Sequence, residues 1–154
     1  MTYLDAAISF SHPFNVRKHV VKLSCPKWMH IIKEVLLLLG NTHTLLILDY
    51  PDQKIVEILN KEVNTYPLLR TINKTPTFLS LPQTVDLFYS LLDGKRNFYT
   101  EEACIYAAAA IYLSNIEKDW KKAYQLAEDA LFSGGAKEKF ESFRHFAKEL
   151  IAIG

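Results

Sequence analysis

Cysteine is nearly absent. The 154 residues contain two, Cys25 and Cys104, which excludes the disulfide-dense scaffolds of small secreted domains. Both are expected to be free thiols in a reducing cytosol. Glycine is scarce as well: five residues, with Gly134-Gly135 the one adjacent pair. Glycine-rich loops cradle phosphate because a missing side chain lets backbone N–H groups reach the oxygens. The sequence has no stretch of that kind. Apolar runs such as Val35–Leu39 and Leu45–Leu48 fall far short of the roughly 20 residues that span a bilayer. No basic stretch followed by an apolar run and a small-residue cleavage site opens the sequence, so no secretory signal is expected. Neither charge dominates. The 18 Lys and Arg against 17 Asp and Glu leave a net charge of +1, so no whole-chain field favours nucleic acid or an anionic membrane. The five histidines (His12, His19, His30, His43 and His145) show no H-x-x-x-H or H-E-x-x-H spacing, which leaves no metal motif.

What is present is core-forming. Hydrophobic residues make up 49% and charged residues 23%, a globular balance. The length suits one domain, residues 1–154, with a proper core. The pattern predicts an α/β fold: a small mixed sheet with a β-hairpin, flanked by helices, and a helical C-terminal half.

Taken in order, Thr2 to Phe10 is expected to form a short helix and His12 to Asn15 a turn. His19 to Ser24 reads as a strand. Pro26 suits a first helical turn, and Trp28, Met29, Ile31, Ile32, Val35, Leu36 and Leu39 trace a helical stripe ended by Gly40-Asn41. Thr44 to Leu48 is continuously apolar, as in a strand buried on both faces. Lys54–Leu59 and Glu62–Tyr66 read as a hairpin around Asn60-Lys61. Pro67, Pro76 and Pro82 break the next stretch, leaving a loop with one short extended piece near Thr77 to Leu81. Four helices follow. The first begins at Leu81 or Gln83 and stops at Asp93-Gly94. Thr100 is expected to cap the second, Asp119 the third, and Ser133-Gly134-Gly135 to end that third one. The last, from about Ala136 to Ile151, is expected to bury Phe140, Phe143, Phe146, Ala147 and Leu150.

Several stretches, in this order, resemble the anthranilate phosphoribosyltransferases. Ile8-Ser9-Phe10-Ser11-His12-Pro13 falls on that family's Gly-Pro-Leu-x-Asn-Pro loop. Val35-Leu-Leu-Leu-Leu-Gly40 with the Thr44–Leu48 strand is similar to its helix and strand. Ile55-Val56-Glu57-Ile58 with Glu62-Val63-Asn64-Thr65-Tyr66 is similar to its hairpin. Leu92-Asp93-Gly94, Tyr106 to Tyr112, and Ala123 to Phe143 resemble its last helices. The resemblance implies the C-terminal part of the family's large α/β domain, in truncated and degenerate form, and would put Met1 mid-way along a family chain.

The same resemblance directs attention to departures. The family grips phosphoribosyl pyrophosphate with a G-T-G-G-D loop, which these residues lack. An adjacent Asp-Glu pair that helps bind magnesium is replaced by Asp49-Tyr50-Pro51-Asp52-Gln53. Asp49 and Asp52 are candidate metal ligands, although both suit a turn on their own account. Ile8, Ser9 and His12 replace the opening loop's Gly-Pro and Asn.

Arg17, Lys18, Lys22 and Lys27 form a basic cluster around the first strand. They are candidate ligand or phosphate contacts, or else a solvated edge. Cys25 at a helix N-terminus would have a lowered pKa, but no base or oxyanion site accompanies it. Tyr99, Tyr106, Tyr112 and Trp120 read as core aromatics. These readings predict a non-catalytic domain that acts through self-association or a partner subunit, with no cofactor. One alternative is the C-terminal half of a split transferase, which would use Mg²⁺ and a protein carrying the missing half. Another is a nucleic-acid-binding relative.

Overall fold

The structure is a computed structural model that describes residues 17–23, 27–39, 43–48, 53–72 and 79–153. The expected helix over 2–10, the turn over 12–15 and the cap at Gly40-Asn41 lie outside the described residues. The chain divides into two compact units. One is the sheet with its helix and residues 112–116; the other is the rest of the helical half.

The sheet has four strands, β1 (Lys18–Leu23), β2 (His43–Leu48), β3 (Lys54–Leu59) and β4 (Glu62–Pro67), in spatial order β1-β2-β3-β4. β1 and β2 are parallel, so the chain between them must cross over, and helix α1 (Lys27–Leu39) makes that connection. The other two pairings are antiparallel. The sheet is therefore mixed, as the pattern predicts.

β2 is buried from Thr44 to Leu48, which explains its unbroken apolar run. Leu46, Leu48, Val56, Ile58 and Leu23 on one face form a core with Ile32 and Leu36 of α1. The opposite parity (Leu45, Ile47, Ile55 and Glu57) is buried as well. Asn60 and Lys61 take φ of 51° and 71°, the left-handed pair that a two-residue hairpin turn demands. After β4 the chain is tied back by Gln53. Its side-chain amide donates to the Ile72 carbonyl at 3.1 Å, and its carbonyl oxygen accepts from the Ile72 N–H at 3.0 Å.

The helical unit is built on α2 (Leu81–Leu92), α3 (Thr100–Leu113, without its last two residues), α4 (Trp120–Phe132) and α5 (Gly135–Ile153). Ser80, extended at φ −68° and ψ 157°, caps α2. Its hydroxyl accepts from the Gln83 N–H while the Gln83 side chain accepts from the Ser80 N–H, a reciprocal capping box. Leu81 is thus helical and not part of the extended piece expected to reach it, of which residues 77 and 78 lie outside the described residues. Asp119 caps α4 as expected, accepting from the Lys122 N–H at 2.9 Å. Thr100 departs from expectation. It is the first residue of α3, buried, and its hydroxyl accepts from the Asn97 N–H at 2.8 Å. The Asn97 side chain takes the Tyr99 N–H at 2.9 Å, so an Asx turn leads the chain into the helix.

α5 brings the largest correction. The helical stripe places Phe143, Phe146 and Leu150 in the core, yet they are 67%, 57% and 56% exposed. The Phe140 side of the helix finds neighbours: its ring lies edge-on to Phe88 at 5.1 Å and to Tyr89 at 6.1 Å. The apolar band of α5 is wider than the surface offered to it.

Candidate functional site

Three of the four basic residues expected to bind a ligand lie at an edge of the sheet. Arg17, Lys18 and Lys22 are exposed, the first just before β1 and the others within it. Strand alternation puts Lys18 and Lys22 on one face with Val20 between them. Their register partners there are His43 and Ile47. The backbone fixes this end of the strand, where the His43 N–H donates to the Arg17 carbonyl at 2.8 Å. Lys27 opens α1. The four are therefore strung along a strand and into the next helix. Asp49 and Asp52, with Ile8, Ser9, His12 and Cys25, lie outside the described residues. Among the described residues, no group of three or more His, Cys, Asp or Glu side chains could hold a metal ion.

The sheet's principal polar feature is one that sequence reasoning treats only as part of the hairpin. Glu57 on β3 is 4% exposed. It faces Asn64 across β4 and Leu45 across β2, and two of its partners, His43 and Tyr66, are diagonal neighbours on the same face. His43 Nε2 lies 2.7 Å from Oε1, the Tyr112 hydroxyl donates to the same oxygen at 3.0 Å, and the Tyr66 hydroxyl donates to Oε2 at 3.1 Å. The His43 and Tyr112 rings meet nearly edge-on, at 5.9 Å and 70°.

A carboxylate can enter a core only when its lone pairs are met by donors, and here three donors meet them. The effect on the tyrosines follows. Burial pushes the Tyr112 hydroxyl up to about 12, helped by its hydrogen bond to Glu57, the charge of Glu57, and then Tyr66. Tyr66 is raised by burial first and by Glu57 second. Both hydroxyls stay protonated and keep donating at neutral pH. The cluster is a hub joining β2, β3, β4 and residue 112.

Two polar clusters of the helical unit join residues from different elements. Arg96 pairs with Glu101 and with Glu128, each at 3.2 Å, and lies 4.6 Å over the Phe132 ring. Glu101 also accepts from the Tyr124 hydroxyl, whose pKa is raised by burial and then by Glu101. Cys104 is buried beside them. Burial, then the charges of Glu128 and Glu101, push its thiol up to about 11. The second feature is an open cleft of about 220 Å³ where the ends of α2 and α4 meet the first turn of α5. Lys137 and Asp93 pair across it at 2.6 Å. Each stabilises the other's charge, holding the Asp93 carboxyl below and the Lys137 amine above their usual ranges.

Of the aromatics that read as core, Tyr112 enters the Glu57 cluster; it is half-buried, as are Tyr99, Tyr106 and Trp120. A signal for Glu57 does exist. Ile55, Val56 and Ile58 are apolar at both parities, so the strand has no solvent face to receive a charge.

No family profile matches the chain. It is 36% identical over 64 residues to the anthranilate phosphoribosyltransferase of Methanosarcina acetivorans, a match covering 42% of this chain and 17% of that protein. Its fold is similar to the crystal structure of anthranilate phosphoribosyltransferase from Thermus thermophilus, with a TM-score of 0.62 at 18% identity, over 80% of this chain and 41% of that one. The chain therefore spans well under half the length of either protein. The fold is that of part of an anthranilate phosphoribosyltransferase, as the sequence resemblance implies.

Proposed function

We propose that these 154 residues form an anthranilate phosphoribosyltransferase-like domain that acts by associating with a second chain and carries no transferase activity of its own. The observation that carries the reading is the uncovered apolar surface of the helical unit. Leu81, Val85 and Phe88 on α2 are 77%, 42% and 41% exposed, and Phe143, Phe146 and Leu150 on α5 are more than half exposed. An isolated exposed leucine means little, whereas a run of large apolar side chains on adjoining helices marks a surface to be covered.

The chemistry supports the second half of the reading. The sequence holds no glycine-rich phosphate loop, and Asp49-Tyr50-Pro51-Asp52 replaces the adjacent Asp-Glu pair. Glu57 is engaged by three hydrogen-bond partners, and Lys137 is paired with Asp93. Among the described residues no helix is long and apolar enough to cross a membrane, and the domain is proposed to work in the cytoplasm.

Two measurements on one preparation test this. Light scattering reads the mass of the purified chain. A fluorescence assay reads anthranilate consumption with phosphoribosyl pyrophosphate and Mg²⁺, with and without a separately produced N-terminal half of an anthranilate phosphoribosyltransferase. The expected result is an assembly larger than one chain that leaves anthranilate untouched in both mixtures. Turnover only in the second mixture would make the chain half of a split enzyme, and turnover by the chain alone would overturn the reading.

A further inference from the structure

The uncovered side of α5 has a seven-residue rhythm. Lys139, Phe143, Phe146 and Leu150 follow one another at spacings of four, three and four, the a/d seam of a coiled coil. All four are exposed. Phe140, on the flank of this seam, is the residue that packs edge-on against Phe88. The seam thus lies beside the contact with α2 and is free of it.

We infer that this seam receives a second copy of the chain, α5 against α5 in antiparallel orientation, about a two-fold axis passing between residues 144 and 145. The inference rests on the association reading and names the partner. The helix is self-complementary about that point. In an antiparallel coiled coil each a position faces a d position. Turning α5 about the axis sets Phe143 against the partner's Phe146, and Lys139 against the partner's Leu150. No apolar residue of the seam is left facing water.

Charge selects the orientation. Lys139 and Glu149 stand ten residues apart on the sequence, about 15 Å along a helix, at opposite ends of the seam. The antiparallel pair brings each Lys139 beside the partner's Glu149. A parallel pair would stack lysine on lysine at a seam position, and like charges so placed oppose association. A single lysine in an apolar seam sets register in this way. Glu149 meets His145 of its own helix at 3.2 Å, with the two side chains 59% and 77% exposed. So exposed a pair is weak, and Glu149 can turn to a better partner. A two-fold interface of this kind uses the same patch on both copies and closes at two.

The test is sedimentation equilibrium on the full chain and four variants, with helix content followed by circular dichroism. The wild type is expected to be a dimer. Phe146→Glu is expected to run as a monomer with its helix content intact, because the residue is exposed. Lys139→Glu and Glu149→Lys, made singly, each place like charges together and are expected to weaken the dimer by about tenfold or more. The double reversal Lys139→Glu/Glu149→Lys restores opposite charges and is expected to return the affinity to near wild type. A monomeric wild type overturns the inference; the association reading then stands or falls on whether another chain binds. A dimer indifferent to Phe146→Glu overturns the inference and leaves the association reading intact. Failure of the double reversal to rescue overturns the antiparallel register.

Discussion

His43 and Glu57 stand two residues out of register on neighbouring antiparallel strands, and their side chains meet at 2.7 Å. The contact is diagonal, the geometry by which side chains on one face of a sheet reach across a pleat. Directly opposite Glu57 on β2 is Leu45, fully apolar and 1% exposed. Without its diagonal donors the carboxylate would therefore face hydrocarbon. Tyr66 reaches it from β4 in the same diagonal manner, and Tyr112 completes the set.

Glu57→Ala is expected to be among the most damaging single changes in the sheet unit. It removes a buried acceptor and orphans three donors, a loss of about 3 kcal/mol or more. Glu57→Gln keeps the volume but turns an N–H₂ toward a donor, and is expected to lose about 1–3 kcal/mol. Tyr112→Phe removes one donor and leaves two, at about 1 kcal/mol. Urea unfolding followed by circular dichroism reads the series. If Glu57→Ala unfolds at the wild-type midpoint, the hub is not what holds the strands.

Tyr112 gives the fold an alkaline limit. Its pKa is pushed up to about 12 from an ordinary 10.0, so the native state holds a proton that the unfolded chain releases earlier. Stability from this group is complete below about pH 10 and is lost as pH rises toward about 12, because there the unfolded state binds fewer protons. The urea midpoint should fall over that window, and Tyr112→Phe should flatten the fall. Tyr66 and Tyr124, also raised, add to the slope in the same direction, so the variant should flatten it only in part.

Local chemistry explains which parts of the fold are legible in the sequence. A left-handed pair at Asn60-Lys61, a capping aspartate at Asp119 and an apolar run at Thr44–Leu48 each declare themselves within a few residues. The hub does not. Glu57 finds His43 14 residues away and Tyr112 55 residues away, and periodicity carries no information at that range. The α5 error has a related cause. A helical stripe shows which residues share a face, not whether anything covers it, so Phe143, Phe146 and Leu150 look like core. Ahead of α3, two cap-forming residues stand three apart. Asn97 takes the turn, and Thr100 goes into the helix.

Cys104 is expected to be inert while the chain is folded. It is 2% exposed and its thiol is pushed up to about 11 from 9.0, whereas thiol chemistry requires the thiolate. Labelling by a maleimide at neutral pH, read by peptide mass, should reach Cys104 only after urea is added. Rapid labelling of Cys104 in the native protein would mean that the Glu101–Arg96–Glu128 cluster opens readily.

The adjacent glycines at the α4–α5 junction should respond to alanine with opposite signs. Gly134 sits at φ +87° with nothing within 4 Å of an added Cβ. Space is therefore no obstacle, and the penalty is the left-handed backbone itself, about 1–2 kcal/mol for an L residue. Gly135 is the first residue of α5, without a positive φ, and an added Cβ would meet the Ala130 carbonyl oxygen at 3.4 Å and the Ser133 hydroxyl at 3.6 Å. Those are ordinary contacts. Alanine there reduces the freedom of the unfolded chain at no strain, a gain of about 0.4–1 kcal/mol. The two variants, unfolded in urea side by side, should move the midpoint in opposite directions, Gly134→Ala down and Gly135→Ala up. A fall for both would show that the turn into α5 is held by something other than backbone handedness.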